Sequence, residues 1–213
     1  MTDNKLKTGT TCIGFLFKGG VLIAADMRVT SYKINAENFT KLFDLSDNVV
    51  ATVSGGVADA QRFVRSIKGE LKLLALKAER KIFVKEAVMT LTNYQYHTIR
   101  SSGGIVGMLL AGYDEKDGCS LYELGPDGSI LDGLDFVTSG SGSVYVDGIL
   151  GTEHDKNMSE KDALALVEKS FKAAFRNDNA SGGGFIVKII TKDGIKEVER
   201  KVIKSEFVNE KWK

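Results

Sequence analysis

At Gly55-Gly56 the apolar residues of this chain change their period, and that change decides most of the architecture. Before it they come in strand-like runs. Thr10 to Phe17 and Val21 to Ala25, separated by Lys18-Gly19-Gly20, read as a tight hairpin. Phe39 to Leu45 and Val49 to Ser54 read as a second pair, turned around Ser46-Asp47-Asn48. After it, Val57, Ala60, Val64, Ile67, Leu71, Leu74 and Ala78 recur at intervals of three and four. That is one apolar stripe on a long helix, with Arg62, Arg65, Lys68 and Glu70 largely off it. A second helix, from about Val84 to Ile99, carries Val84, Ala87, Val88, Leu91 and Tyr94.

Ser101-Ser102-Gly103-Gly104 breaks that helix, and strands return at Val106 to Gly112, Ser120 to Leu124 and Phe136 to Ser139. A third helix starts near Ser159, which reads as an N-cap before the acidic turn Glu160 to Asp162. Its buried side is Ala163, Leu166, Val167, Ser170, Phe171 and Ala174. Asn179-Ala180-Ser181-Gly182-Gly183-Gly184 ends it, and a last hairpin joins Phe185 to Thr191 with Ile195 to Val198. Hairpins imply antiparallel pairing, and blocks of strands alternating with blocks of helices imply layers. The pattern predicts an α+β domain of antiparallel sheets covered by helices.

A length of 213 residues fits one domain with a sizeable core. With 29 basic and 28 acidic side chains the net charge is +1, which gives no electrostatic reason to expect nucleic acid or an anionic membrane as partner. No apolar run approaches the roughly 20 residues that span a bilayer, and the polar N-terminus has no signal-peptide core. Cys12 and Cys119 form no CxxC pattern, so a reducing cytoplasm is the default.

The sequence contains no GxxxxGK[ST] phosphate loop, no HExxH and no GxSxG elbow. Only His97 and His154 could serve a histidine-dependent hydrolase or a zinc site. His97 reads as a surface or core-edge residue beside Tyr96, and His154 as part of a solvated loop. No metal site or cofactor is expected. A chain so poor in histidine needs another base.

Six short motifs occur in order: Gly9-Thr10-Thr11-Cys12, Asp26-Met27-Arg28, Lys41-Leu42-Phe43, Ser54-Gly55-Gly56, Gly140-Ser141-Gly142 and Asp178-Asn179-Ala180-Ser181-Gly182-Gly183. Each alone is commonplace. In this order and at these spacings the chain resembles the β subunits of the archaeal 20S proteasome, from Thr8 to about Glu199. The resemblance implies the N-terminal nucleophile hydrolase fold, a four-layer α-β-β-α sandwich of two antiparallel sheets. It also implies a division into a propeptide, residues 1–9, and a single catalytic domain, residues 10–213.

By the same resemblance Thr10 would be the nucleophile of a threonine endopeptidase, exposed when the Gly9-Thr10 bond cuts itself. Its freed α-amine, titrating near 7.7–8.0 if unperturbed, would be the base that histidine usually supplies. Lys41 would sit beside Thr10 and lower its pKa values, and Asp26 would hold Lys41 charged and oriented. Arg28 would tie the surrounding loops. Gly55 would offer its N–H to the oxyanion, while Ser141, Asp178 and Ser181 would complete a hydrogen-bond network at the Thr10 nitrogen. The side chain before the cut bond would meet Val29, Val53 and Val57, with Phe39 or Phe43 at the wall, so cleavage after hydrophobic residues is expected. Cys12, where relatives often carry threonine, is expected to point away from the nucleophile.

The implied partners are copies of the chain or of paralogues in a heptameric β ring, proteasome α subunits, and an ATPase regulatory particle acting through the α ring. The implied substrates are unfolded polypeptides, degraded in a closed chamber in the cytoplasm. An apolar helix face around Leu71 to Leu76 would then be an interface. The competing reading is a catalytically inactive β subunit that supports an active paralogue. Loss of Gly9, Thr10 or Lys41 would signal it, and all three are present.

Overall fold

The computed structural model describes residues 9–30, 34–102 and 106–204. The chain opens with the hairpin β1 (Cys12–Phe17) and β2 (Gly20–Asp26), then the short pair β3 (Val29–Thr30) and β4 (Ile34–Ala36). The hairpin β5 (Leu42–Ser46) and β6 (Val49–Gly55) leads into helices α1 (Val57–Ala78) and α2 (Val84–Ser102). Strands β7 (Val106–Asp114), β8 (Gly118–Leu124), β9 (Ile130–Leu131) and β10 (Phe136–Ser139) follow. Helices α3 (Ser143–Glu153) and α4 (Glu160–Asn177) precede the closing hairpin, β11 (Gly184–Thr191) and β12 (Gly194–Val202).

These strands form two five-stranded sheets, ordered β10-β1-β2-β11-β12 and β5-β6-β7-β8-β9, with β3-β4 apart. Every pairing is antiparallel. Three apolar clusters fill the gaps between four layers. Ile13, Phe15, Leu22 and Ala24 point from the first sheet to Val146, Leu150, Val167 and Phe171 of α3 and α4. Val21, Ile23 and Ala25, the alternate residues of β2, point the other way, to Val50, Leu109, Ala111 and Leu121 of the second sheet. The far face of that sheet, through Val49, Ala51 and Val53, packs on Phe63, Ile67, Leu71 and Leu91 of α1 and α2. A strand buried on both faces loses its polar alternation, which is why Val21 to Ala25 reads as one apolar run.

The expected four-layer α-β-β-α sandwich is therefore the fold, with several local differences. Helix α3 has no counterpart in the sequence reading. It contains Gly148 and Gly151, buries only Val146 and Leu150, and has no side-chain N-cap, so its helical signal is faint. His154 does not lie in a solvated loop. It ends α3, packs against the rings of Phe15 and Phe136, and its Nε2 lies 2.7 Å from the carbonyl oxygen of Leu16. Helix α2 continues through Ser102 rather than stopping at Ile99, and β5 starts at Leu42 rather than Phe39. On α1, Leu71 is core, while Leu73 and Leu76 are exposed. Ser159 caps α4 as expected, its Oγ accepting from the N–H of Asp162.

Candidate active site

Thr10 lies at the head of β1, at one end of the gap between the sheets, and is almost fully buried. The strand delivers its backbone there, and the pairing of β1 with β2 fixes where Asp26 falls. Cys12 pairs with Ala25, so the next residue of β2, Asp26, stands beside Thr11. Thr11 N–H donates to Asp26 Oδ1 at 3.0 Å. Lys41, immediately before β5, crosses from the second sheet, and its Nζ donates to the same oxygen at 2.7 Å. Asp26 Oδ2 accepts from Arg28 N–H at 3.1 Å and Gly182 N–H at 3.0 Å.

Asp26 is 0% exposed and Lys41 5%. Burial pushes the Asp26 carboxyl up, and Lys41 with the N–H groups of Thr11 and Gly182 pulls it back. Four donors occupy the two oxygens, and a protonated carboxyl would have to give up one of them. The geometry is built for the carboxylate, since a buried ion pair is tolerated when its remaining hydrogen-bonding capacity is filled.

Lys41 has three N–H donors, and each has a partner. Besides Asp26, they reach Thr10 Oγ1 at 3.2 Å and the Gly9 carbonyl oxygen at 3.0 Å. Thr10 Oγ1 in turn donates to that carbonyl at 2.7 Å. The bond between Gly9 and Thr10 is intact, and its carbonyl is gripped by an ammonium and by the neighbouring hydroxyl.

On its other side Thr10 N–H donates to Ser141 Oγ at 3.3 Å. Ser141 Oγ and Ser181 Oγ both donate to Asp178 Oδ2 at 2.6 Å. Ser181 having spent its hydrogen, the 2.7 Å contact with Thr11 Oγ1 has Thr11 as donor. Arg28 binds the Asn179 carbonyl at 3.2 Å and Glu37 at 3.4 Å, tying the 178–182 loop to the segment before Lys41. Gly140 has φ of +93°, and a Cβ there would lie 2.1 Å from the Thr10 carbonyl oxygen, so only glycine lets the loop come this close.

Thr10, Asp26, Arg28, Lys41, Gly55, Ser141, Asp178 and Ser181 are thus brought together, Gly55 lining the cavity that Thr10 and Lys41 share. Val29, Val53 and Val57 line that cavity too, with both Phe39 and Phe43. Three contributors were given no role in the sequence reading: the N–H groups of Thr11 and Gly182, and Gly142 N–H, which donates to the Thr10 carbonyl at 3.2 Å. Their signal was present, because each lies inside one of the six motifs, but backbone donors leave no residue-type signature.

Cys12 corrects an expectation. Two residues along a strand return to the same face, so Cys12 shares the side of Thr10 and is buried between the sheets. Burial pushes its thiol up to about 12, against the pull of a Thr52 hydrogen bond and of Lys41. Among the described residues no group of three or more His, Cys, Asp or Glu side chains could hold a metal ion. No described helix is long and apolar enough to cross a membrane.

A threonine at the head of an inner strand, clamped by a buried lysine–aspartate pair in a helix–sheet–sheet–helix sandwich, is the arrangement of the threonine-type N-terminal nucleophile hydrolases. The family model described as "Proteasome subunit" matches residues 6–190. The chain belongs to that family. It is 32% identical to "Proteasome subunit beta" of Methanocaldococcus vulcanius over 206 residues, covering 96% of this chain and 92% of the relative. It is 36% identical to the β subunit of Methanocorpusculum labreanum, covering 88% of each. With that of Methanobrevibacter smithii the identity is 32%, over 94% of this chain and 96% of the relative.

Proposed function

We propose that this chain is a catalytic β subunit of a 20S proteasome core, with Thr10 as its nucleophile and residues 1–9 as a propeptide that it removes from itself. The observation that carries the reading is the position of Lys41 Nζ, within hydrogen-bonding distance of Thr10 Oγ1, the Gly9 carbonyl and Asp26 at once. In self-cleavage Thr10 Oγ1 attacks the Gly9 carbonyl carbon. The Gly9–Thr10 C–N bond breaks, its nitrogen takes a proton, and the acyl group passes to the hydroxyl oxygen as an ester. Water then hydrolyses the ester, releasing residues 1–9 and leaving Thr10 with a free amine and a free hydroxyl.

That amine inherits the hydrogen-bond connection through Ser141 to Asp178. It becomes the base that takes the hydroxyl proton when Thr10 attacks a substrate carbonyl, and it returns that proton to the leaving amine. Lys41 favours the developing alkoxide by its charge, Asp26 and Arg28 hold Lys41 and the 178–182 loop in place, and Gly55 N–H receives the oxyanion. Until the Gly9–Thr10 bond breaks, the Thr10 nitrogen is an amide and no base. Val29, Val53 and Val57 receive the apolar side chain preceding the cut bond.

The partners that fit are further β subunits in a heptameric ring, α subunits above it, and an ATPase that feeds unfolded polypeptide through the α ring, in the cytoplasm. The exposed Leu73 and Leu76 on α1 suit a buried place in such an assembly. Intact mass after co-expression with α subunits tests the reading. The expected product begins at Thr10 and hydrolyses apolar peptides, and Thr10→Ala and Lys41→Ala particles retain residues 1–9 and lose at least about 100-fold in turnover. An assembled but unprocessed particle would instead support the inactive structural subunit.

A further inference from the structure

We infer that Thr11 is a positioning residue. By donating to Ser181, its hydroxyl fixes the direction of the hydrogen bonds around Asp178, and with it the face that Ser141 turns to the Thr10 nitrogen. This rests on the function proposed above, which makes that nitrogen the base.

Neighbouring side chains of β1 alternate in direction. Cys12 faces the second sheet, so Thr11 shares the side of Ile13, which packs toward α3 and α4. There Gly142 opens α3 and Asp178 closes α4. A Cβ on Gly142 would lie 2.0 Å from Thr11 Oγ1 and 3.3 Å from Asp178 Oδ2, so the hydroxyl sits where the two helix ends meet. Thr11 is 0% exposed and Ser181 1%. The backbone of the 178–182 loop is tied without this hydroxyl. Asp26 holds Gly182 N–H, Arg28 holds the Asn179 carbonyl, and Thr30 Oγ1 donates to the Ala180 carbonyl at 3.0 Å. What Thr11 holds is the Ser181 side chain.

Counting hydrogens sets the direction. Asp178 Oδ2 accepts from Ser141 Oγ and Ser181 Oγ, and its Oδ1 from Ala180 N–H at 3.0 Å. A serine has one hydroxyl hydrogen, so the 2.7 Å contact of Ser181 Oγ with Thr11 Oγ1 uses the hydrogen of Thr11. Among the described residues Thr11 Oγ1 has no other hydrogen-bond partner. Reversing the contact would bury the Thr11 hydrogen without an acceptor, which is costly. Every hydroxyl hydrogen of the group therefore runs toward Asp178, and Ser141 has only lone pairs left for Thr10 N–H. After cleavage the Thr10 amine can donate to Ser141 and keep its own lone pair for the hydroxyl proton. A Ser141 hydrogen turned the other way would occupy that lone pair.

The test uses particles of this chain assembled with α subunits and a fluorogenic peptide with leucine before the cut bond. Thr11→Val keeps the shape and the N–H that binds Asp26 but lacks the hydroxyl; Thr11→Ser keeps the hydroxyl and loses a methyl. Thr11→Val is expected to lower kcat about tenfold, the scale of a buried hydroxyl left unpaired, with KM changed less than about twofold. Thr11→Ser is expected to recover most of that loss, whereas a packing role would favour valine. In a Ser181→Ala background Thr11→Val is expected to add no further loss, because it acts through Ser181. Where Thr11→Val particles fail to assemble, Thr11→Ala is read against Thr11→Ser instead. An unchanged kcat in Thr11→Val, a valine variant more active than the serine one, or additive losses with Ser181→Ala overturns the inference and leaves the proposed function standing. Unmodified particles that leave the peptide uncut and still carry residues 1–9 overturn the proposed function, and this inference with it.

Discussion

Gly9 has its Cα turned onto the 178–182 loop, where a built Cβ would lie 1.9 Å from the Cβ of Ala180 and 2.5 Å from its carbonyl carbon. A side chain at position 9 would push the Gly9 carbonyl, which the proposed function makes the point of attack, away from Lys41. Gly9→Val should therefore slow release of residues 1–9 by at least about 100-fold, since a misplacement near 1 Å costs that much; intact mass against time after refolding checks it. Cys12 offers a second residue-scale test. With its thiol pushed up to about 12 and no exposure, it should stay unalkylated at pH 8 in the native chain and react once the chain is unfolded, as peptide mapping would report. The residue types of the site were legible in sequence because their order and spacing carried a resemblance. Cys12 is the exception, because residues two apart along a strand share a face and it lies with Thr10 rather than away from it.

Strong periodicity made elements legible and weak periodicity hid them. The stripe on α1 and the cap of α4 could be read directly, because each buries one continuous face. Strands β3 and β4 could not, since runs of two and three residues are too short to show alternation. Ser159→Ala should cost about 1 kcal/mol, the usual worth of an N-cap, and lower the melting temperature by roughly 2–4 °C in a chain of this size. The packing of β12 on α4 has an electrostatic component with a definite pH dependence. Glu168 on α4 meets Lys172 and Lys201, and these hold its carboxyl down, from 4.5 to about 2. Because the folded value is the lower one, this contribution is present above pH 4.5 and is lost as pH falls toward 2. Lys201→Ala should move the Glu168 midpoint back up toward 4.5 in an NMR titration.

At the scale of the whole molecule the two sheets are held together by one apolar layer, and both surfaces of the site are hung from it. Leu109, buried at its centre, should cost roughly 2–5 kcal/mol when truncated to alanine, read as a lower denaturation midpoint at constant slope. The same layer explains why layering could be inferred from sequence while the strand order within each sheet could not. Hairpins disclose which strands are neighbours, but the pairing of β10 with β1 and of β2 with β11 joins segments over a hundred residues apart. Those long-range pairings also set a clock. Asp26 takes one of its four donors from Gly182, and the Thr10 nitrogen leans on Ser141 and Asp178. On a ribosome Ser141, Asp178 and Gly182 emerge long after Thr10, so under the proposed function a chain still being made would hold its nucleophile without the parts that arm it. Under the proposed function, synthesis order would withhold the cut until the 178–182 loop has emerged and folded.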